Sequence, residues 1–240
     1  MNFSLIGILG VLGNIFAFFL QISPIPTIIK GLKEKEIKNL TLSYFLVALI
    51  NTAFWFGFGF NENDKYIYII NASGLIFFLL YTNIKIYIDY LKIKYLILFN
   101  IIYFIYLLFV VNCLSGKIDL FIGTIISCLW QGTTIPTMRQ SLFNKDSSFV
   151  NFNVMIVSII NFFIWVLYGF FDNVFLISFV NGICFIFCFF NIYIYFWSKG
   201  KINNDSKLIC FLKFIFCVDN LNENFDVEKF KKIKESLSQE

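Results

Sequence analysis

Two asparagines and one tryptophan occur twice in this sequence with the same spacing. The six positions are Asn51, Trp55 and Asn71 in the first set and Asn161, Trp165 and Asn181 in the second, 110 residues later. An indole face packs against the C–H groups of a neutral polyol, and a carboxamide both donates to and accepts from its hydroxyl groups. We therefore predict a binding site for a sugar-like ligand that is formed by both sets and needs no charged group.

The repetition extends well beyond these residues. When residues 21–74 are laid over 131–184, fifteen of the 54 aligned pairs are identical. A composition this rich in Phe and Ile gives about five identities by chance, so the pattern indicates an internal duplication. The sequence therefore predicts two copies of one unit around a shared centre.

The composition predicts an integral membrane protein. Hydrophobic residues make up 59% of the 240 residues and charged residues only 14%, and the mean hydropathy is +0.78. Each apolar segment has about the 20 residues that a helix needs to cross a hydrocarbon core. Because alternating ten-residue strands are absent, the spans are predicted to be helices.

Seven spans form the predicted fold, an all-α polytopic membrane protein. They cover roughly 5–29, 40–60, 66–88, 95–113, 119–138, 150–171 and 173–197. Three crossings leave the chain on the far side of the membrane, so an unduplicated linker helix must return it before a second, parallel copy begins. The predicted divisions are a first triple-helix repeat at 1–90, a linker at 91–115, a second repeat at 116–198 and a cytoplasmic tail at 199–240.

The distribution of positive charge predicts the orientation. The loops at 30–39, 85–94 and 139–146 and the tail hold 17 of the 19 Lys and Arg residues. Cytoplasmic loops carry this excess, so the N-terminus is predicted outside or in a lumen and the C-terminus in the cytoplasm. The rule leaves open whether the membrane is the plasma membrane or an internal one. The tail is predicted to begin with a short membrane-surface segment and to end in the mixed-charge stretch 226–240.

The turn between the second and third spans predicts the depth of the site. Trp55 precedes this turn by about six residues and Asn71 follows it by about six, which places both roughly 9 Å below the outer helix ends. The second set repeats this arrangement around its own turn. Asn51 and Asn161 precede their tryptophans by four residues and lie on the same helix face, one turn deeper.

Packing residues can also produce such a pattern. An asparagine in a membrane helix often bonds a neighbouring helix, and a tryptophan near the interface often anchors the helix in the lipid. Anchors tolerate movement along a helix, whereas a site on a pseudo-symmetry axis does not, so exact repetition favours a ligand site. Duplicated packing residues remain the alternative.

Several functional classes are excluded or disfavoured by what the sequence lacks. Histidine is absent, and no acidic residue is expected inside any span, with Asp89 the nearest. Proton-coupled carriers and intramembrane hydrolases need ionisable groups there, so we expect no enzyme activity, no cofactor or metal, and passive transport that is nearly constant between about pH 5.5 and 7.5. No basic patch with exposed aromatics indicates a nucleic-acid partner. Besides the ligand, membrane lipid is the expected partner.

Along about 5–197 the chain resembles the SWEET family of sugar transporters, which are relatives of the PQ-loop proteins. The resemblance is carried by the arrangement of three, one and three spans together with Ser23-Pro24, Trp55, Asn71, Trp165-Val166-Leu167-Tyr168-Gly169 and Asn181-Gly182. It implies a uniporter that moves mono- or disaccharides by alternating access, and a protein that forms homo-oligomers. It also implies that Asn71 and Asn181 bond the sugar and that Trp55 and Trp165 pack against it.

The same resemblance implies hinges near the inner helix ends, where the family carries four prolines. By alignment Pro24 is the one retained, and Leu42, Thr134 and Asn151 replace the others. Two further prolines lie close by, and the predicted hinge or gate residues are Pro24, Pro26, Pro136 and Tyr168. Ala53 stands where a small polar residue is frequent in the family, which predicts a pocket suited to a different sugar.

Two alternative functions remain. A PQ-loop-type exporter of cationic or zwitterionic amino acids would need a carboxylate in the pocket, and none is expected there. A seven-helix receptor or sorting protein would bind a ligand without moving it, and the duplicated halves disfavour that architecture.

Overall fold

The computed structural model describes residues 4–35, 41–90, 92–146, 152–204, 206–216 and 218. Within these ranges the chain forms helices and no strand. The helices are α1 (Leu5–Ile22), α2 (Ile25–Glu34), α3 (Leu42–Asn61), α4 (Lys65–Tyr90), α5 (Ile93–Cys113), α6 (Gly116–Gly132), α7 (Ile135–Asn144), α8 (Phe152–Phe171), α9 (Phe175–Ser198) and α10 (Lys207–Ile215). The predicted all-α class is confirmed.

Seven of the described segments are long and apolar enough to cross a membrane. They are Leu5–Glu34, Leu42–Asn61, Lys65–Tyr90, Ile93–Cys113, Gly116–Asn144, Phe152–Phe171 and Phe175–Ser198. The protein is therefore an integral, multi-pass membrane protein, as predicted. The first and fifth spans are each made of two helices, α1 with α2 and α6 with α7, because each contains an interruption.

The interruption follows from local chemistry at the same place in both copies. Pro24 precedes α2 and Pro26 lies in its first turn. Backbone N–H groups in the first turn make no bond within the helix, so proline, which has no N–H, is tolerated there. In the second copy, Thr133 and Thr134 occupy the break, and their hydroxyls bond the carbonyls of Trp130 at 2.6 Å and Gln131 at 2.8 Å. The Ser23 hydroxyl makes the same kind of bond to the Leu20 carbonyl at 2.8 Å, so hydroxyl bonds accompany the break in both copies.

The turns show that the duplication is present in the structure as well as in the sequence. Asn63 has a φ of 57° and Asn173 a φ of 58°, a left-handed conformation that asparagine tolerates. The N–H after each of them bonds a glycine carbonyl, Gly59 at 2.8 Å and Gly169 at 2.9 Å. The bounds of α2, α3 and the start of α4 also recur 110 residues later in α7, α8 and α9. The same local geometry therefore recurs in both halves of the chain, as expected for a duplicated unit.

The linker helix α5 is tied to the first repeat by reciprocal amide bonds. The Asn83 amide of α4 donates to Asn100 of α5 at 3.2 Å, and Asn100 donates back at 2.6 Å. Reciprocal carboxamide bonds satisfy both groups inside an apolar bundle and contribute about 1 kcal/mol. The rest of α5 is mostly exposed apolar surface, including Ile101, Ile105 and Phe109, as expected for a lipid-facing helix.

The described residues fall into two compact units. The larger contains those within 1–134 and 152–189, and the smaller those within 135–151 and 190–240. In the larger unit, α1 packs on α8 and α3 packs on α6, so each contact pairs helices of different repeats. All predicted site residues except Pro136 belong to this unit.

The smaller unit includes the described start of the tail. Helix α10 buries Ile209 and Leu212 and exposes Phe211 and Phe214, while the indole N–H of Trp197 donates to Asn204 at 3.0 Å. The predicted short segment is therefore a helix with apolar residues on both its buried and its exposed sides. The stretch 226–240 lies outside the described residues.

Two predictions about charged residues are wrong. Lys85 and Asp89 do not lie in a loop, because α4 continues to Tyr90 and the two side chains pair within it at 2.9 Å. A pair four residues apart neutralises itself on one helix face, so the helix need not end before it. The expectation of spans free of acidic residues also fails at Asp119, which is fully buried in the first turn of α6.

Candidate functional site

In the first copy, the predicted residues of α3 are joined by a serine of α6. The Ser127 hydroxyl donates to Asn51 Oδ1 at 2.7 Å and accepts the indole N–H of Trp55 at 2.9 Å. Asn51 is 6% exposed. One hydroxyl therefore satisfies both predicted residues at once, because it donates and accepts simultaneously. Ser127 was not predicted, and its signal in the sequence is a polar residue within the fifth span.

In the second copy, Trp165 of α8 packs against α1. A Cβ placed on Gly13 would lie 2.9 Å from Trp165 Cε2, so only glycine lets the indole approach the backbone this closely. Asn161 is 5% exposed, and its Oδ1 has no hydrogen-bond partner among the described residues. The two sets occupy matching places, but their hydrogen bonding differs.

Asn71 and Asn181 have the same local geometry in both copies. Each amide nitrogen donates to the carbonyl four residues earlier at 2.8 Å, Ile67 for Asn71 and Ile177 for Asn181. One amide hydrogen is used in this way, and the side chains are half-buried. Each asparagine keeps a second N–H and an oxygen that accepts hydrogen bonds, the groups that a ligand hydroxyl requires.

The two tryptophans belong to one apolar cluster. Trp165 lies in its buried part together with Ile67, Ile70 and Ile177, and Trp55 packs against it. Because Ile67 and Ile177 also supply the carbonyls that Asn71 and Asn181 bond, both asparagines lie one helical turn from the shared apolar surface. Indole faces and amide groups around one apolar surface are the groups that a neutral polyol requires.

A hydrogen bond joins the two repeats at the predicted outer end. Tyr168 Oη donates to Asp64 Oδ2 at 2.7 Å, while Asp64 Oδ1 accepts the backbone N–H groups of Tyr66 and Ile67 at 3.0 and 3.1 Å. Asp64 thus caps the start of α4 and holds α8 to it. Tyr168 was predicted as a gate residue, and its partner was missed although an Asp before a helix is a recognised capping signal.

Asp172 lies beside this bond, just after α8. Partial burial and the neighbouring Asp64 carboxylate raise the pKa of Asp172 above its ordinary value of 3.8. Tyr168, which bonds Asp64, also faces both carboxylates, and Tyr66 packs against its ring at 6.2 Å. Ionisation of Asp172 therefore places a carboxylate charge beside the Asp64 carboxyl group.

Replacing Asp172 by asparagine should raise the thermal unfolding midpoint at pH 7.5 by a small amount, on the order of 1 °C. Because the pKa is raised in the folded protein, the destabilisation is absent below the ordinary value and complete above the raised value. The difference between variant and wild type should therefore disappear as the pH falls towards 4. A midpoint that is lower in the variant at pH 7.5 would contradict the assignment.

Asp119 is the acidic residue that the sequence analysis did not expect inside a span. Asn61 Nδ2 donates to its Oδ2 at 3.1 Å and approaches the Leu114 carbonyl at 3.4 Å, which connects the ends of α3, α5 and α6. A Cβ on Gly57 would lie 2.9 Å from Asp119 Oδ2. The bond to Asn61 and the approach to Gly57 place Asp119 against α3 at the predicted outer helix ends.

Metal-binding and disulfide chemistry have little support within the described part of the chain. No three His, Cys, Asp or Glu side chains there are grouped to hold a metal ion. The described cysteines, Cys113, Cys128, Cys184, Cys188 and Cys210, are free thiols. The groups described at the candidate site are amides, indoles and a hydroxyl.

Comparison with known proteins finds similarity to sugar transporters. A family model described as "Sugar efflux transporter for intercellular exchange" matches residues 7–95. The bidirectional sugar transporter SWEET4 of Arabidopsis thaliana is 25% identical over 176 residues, which are 68% of this chain and 70% of the relative. The bidirectional sugar transporter NEC1 of Petunia hybrida is 26% identical over 210 residues, which are 83% of this chain and 79% of the relative.

A solved structure of a eukaryotic SWEET transporter has the same fold. The TM-score is 0.71 at 20% sequence identity, and the match covers 81% of this chain and 97% of that chain. An uncharacterized protein of Methanocaldococcus jannaschii is 30% identical over 76 residues, which are 32% of this chain and 82% of that protein. A segment of about one repeat is therefore enough to account for most of a shorter relative.

Proposed function

The chain belongs to the SWEET family, and from this membership we propose that it carries mono- or disaccharides across a membrane down their concentration gradient. The sugar binds between the two repeats. The observation that carries this proposal is the matched pair Asn71 and Asn181, whose amides make identical bonds to their own helices and keep the same groups for a ligand.

The binding surface is suited to a neutral ligand. Trp55 and Trp165 share one apolar cluster, and their indole faces pack against the C–H groups of a sugar ring. The described contacts of the six site residues include no carboxylate. A cationic or zwitterionic amino acid would leave its ammonium group without a counter-charge there, which disfavours the exporter alternative.

The breaks and the outer bond support a mechanism of alternating access. The breaks at Ser23–Pro24 and Thr133–Thr134 divide the first span of each repeat, and such interruptions are where helices bend. The Tyr168–Asp64 bond closes the predicted outer end. We propose that the inner segments swing at Pro24, Pro26 and Pro136 while this bond forms and breaks once in each cycle.

Transport is passive in this proposal. Asp119 is buried at the predicted outer end, where its bond to Asn61 ties α3 to α6, and it is not one of the groups that hold the sugar. A proton relay would require an ionisable group in contact with the substrate or along its path. Sugar movement is therefore expected without accompanying proton uptake.

The test is uptake of labelled glucose, fructose and sucrose into lipid vesicles that contain the purified protein. We expect saturable uptake of at least one sugar, exchange in both directions, and no change in internal pH during uptake. Uptake of lysine without uptake of any sugar would support the exporter. Binding of a sugar without flux would support a receptor, and acid-driven accumulation would contradict passive transport.

A further inference from the structure

We propose that the two halves of the sugar site are not equivalent, and that a sugar hydroxyl binds Asn161 and Trp165 in the way that the Ser127 hydroxyl binds Asn51 and Trp55. This proposal rests on the proposed function. It adds an orientation of the sugar, with a donor hydroxyl towards the second repeat, and it makes residue 17 a determinant of specificity.

In the first half of the site, a side chain of the protein already makes the hydrogen bonds that a sugar hydroxyl would make. The hydroxyl hydrogen of Ser127 is used by Asn51 Oδ1 at 2.7 Å, and its oxygen accepts the indole N–H of Trp55 at 2.9 Å. A hydroxyl has one hydrogen to donate, and Asn51 is buried. A ligand hydroxyl that takes the place of Ser127 between Asn51 and Trp55 must therefore displace these internal hydrogen bonds.

The second half has the same geometry but lacks that hydroxyl. Ala17 is the counterpart of Ser127, 110 positions earlier, and it packs against the cluster that contains Trp165. The positions correspond in three dimensions as well, because Gly13 faces Trp165 Cε2 and Nε1 just as Gly123 faces the same atoms of Trp55.

Without a serine, the acceptor of the second half is not satisfied within the described residues. Asn161 is 5% exposed, and its Oδ1 accepts no hydrogen bond there. A buried polar atom with no partner costs free energy, so such atoms usually meet a donor from water or a ligand. A hydroxyl between Asn161 and Trp165 donates to the amide oxygen and accepts from the indole N–H, as Ser127 does in the first half.

The chemical consequence is selectivity for one hydroxyl of the sugar. A site built to bond a hydroxyl rejects the analogue that lacks it, because the buried acceptor is then left without a donor. The wild-type protein should therefore discriminate strongly against one monodeoxy sugar. A serine introduced at position 17 supplies the donor internally and should remove that discrimination.

The experiment measures competition with labelled glucose uptake by the 2-, 3-, 4- and 6-deoxy derivatives of glucose in vesicles. The variants are Ala17→Ser, Asn161→Ala and, as the matched control, Asn51→Ala. In the wild type, one derivative should compete about tenfold more weakly than glucose. In Ala17→Ser and Asn161→Ala, the KM for glucose should rise about tenfold and that derivative should compete as well as glucose. Asn51→Ala should retain the wild-type discrimination.

Several results would overturn the proposal. One is a wild type that treats every deoxy derivative like glucose, and another is an Ala17→Ser variant with a raised KM but unchanged discrimination, which would show a steric effect. If Ala17→Ser does not fold, the Asn161→Ala and Asn51→Ala pair decides the question, and equal effects of both overturn the proposal. If a bound water rather than a sugar hydroxyl donates to Asn161, the wild type will also fail to discriminate among the deoxy derivatives, and the proposal is overturned. Absence of all sugar uptake by the wild type refutes the proposed function itself, and this inference with it.

Discussion

Sugar uptake is expected to fall about a hundredfold when Asn71 or Asn181 is replaced by alanine, because each amide both donates to and accepts from the sugar. The protein should remain folded. Alanine favours the helix, and the lost bond to Ile67 or Ile177 is to a carbonyl of the same helix. The measurement is the initial rate of uptake into vesicles with equal amounts of protein, with the thermal midpoint as the folding check.

Asn112 supplies a matched control for this result. Its amide donates to the carbonyl of Leu108 at 2.9 Å, the same local bond, but it lies exposed on the linker helix α5. Asn112→Ala should therefore transport like the wild type. Normal uptake in both Asn71→Ala and Asn181→Ala would refute the site. Loss in only one of them would show that the sugar depends on one repeat.

The second large effect is expected from Tyr168→Phe, which removes the hydroxyl that bonds Asp64 and keeps the aromatic ring. A hydrogen bond to a charged group contributes about 1.5–3 kcal/mol, so the outer end should open at least tenfold more often. Amide hydrogen exchange in the segments 59–70 and 166–176 should accelerate accordingly. Uptake should slow, because the closed outer end forms less readily in each cycle.

Tyr66→Phe is the control for the loss of a tyrosine hydroxyl in the same place. Its ring lies 6.2 Å from that of Tyr168, but among the described residues its hydroxyl has no hydrogen bond. Exchange in Tyr66→Phe should match the wild type. Asp64→Ala should combine faster exchange with a loss of about 1 kcal/mol of stability, because it also removes the cap of α4. Wild-type exchange in Tyr168→Phe would show that this bond does not close the outer end.

The sequence alone was sufficient for the architecture because hydropathy and internal repetition are properties of the chain order. Apolar segments of about 20 residues must be helices in lipid, where every backbone group needs an internal partner. The duplication predicted two copies of one unit, and the matching turns at Asn63 and Asn173 and the matching bounds of α3 and α8 agree with it. The resemblance to the SWEET family followed from the same positions.

The tertiary structure decided the partners of each polar group, which no spacing along one segment could show. Ser127 bonds Asn51 across 76 positions, and Tyr168 bonds Asp64 across 104. The spans were expected to contain no acidic residue, but Asp119 is buried in the first turn of α6, where Asn61 donates to it. Hydropathy reports the average polarity of a segment, whereas a hydrogen bond depends on which side chain a neighbouring helix presents. For that reason two halves with the same asparagines and tryptophans differ at Ala17 and Ser127.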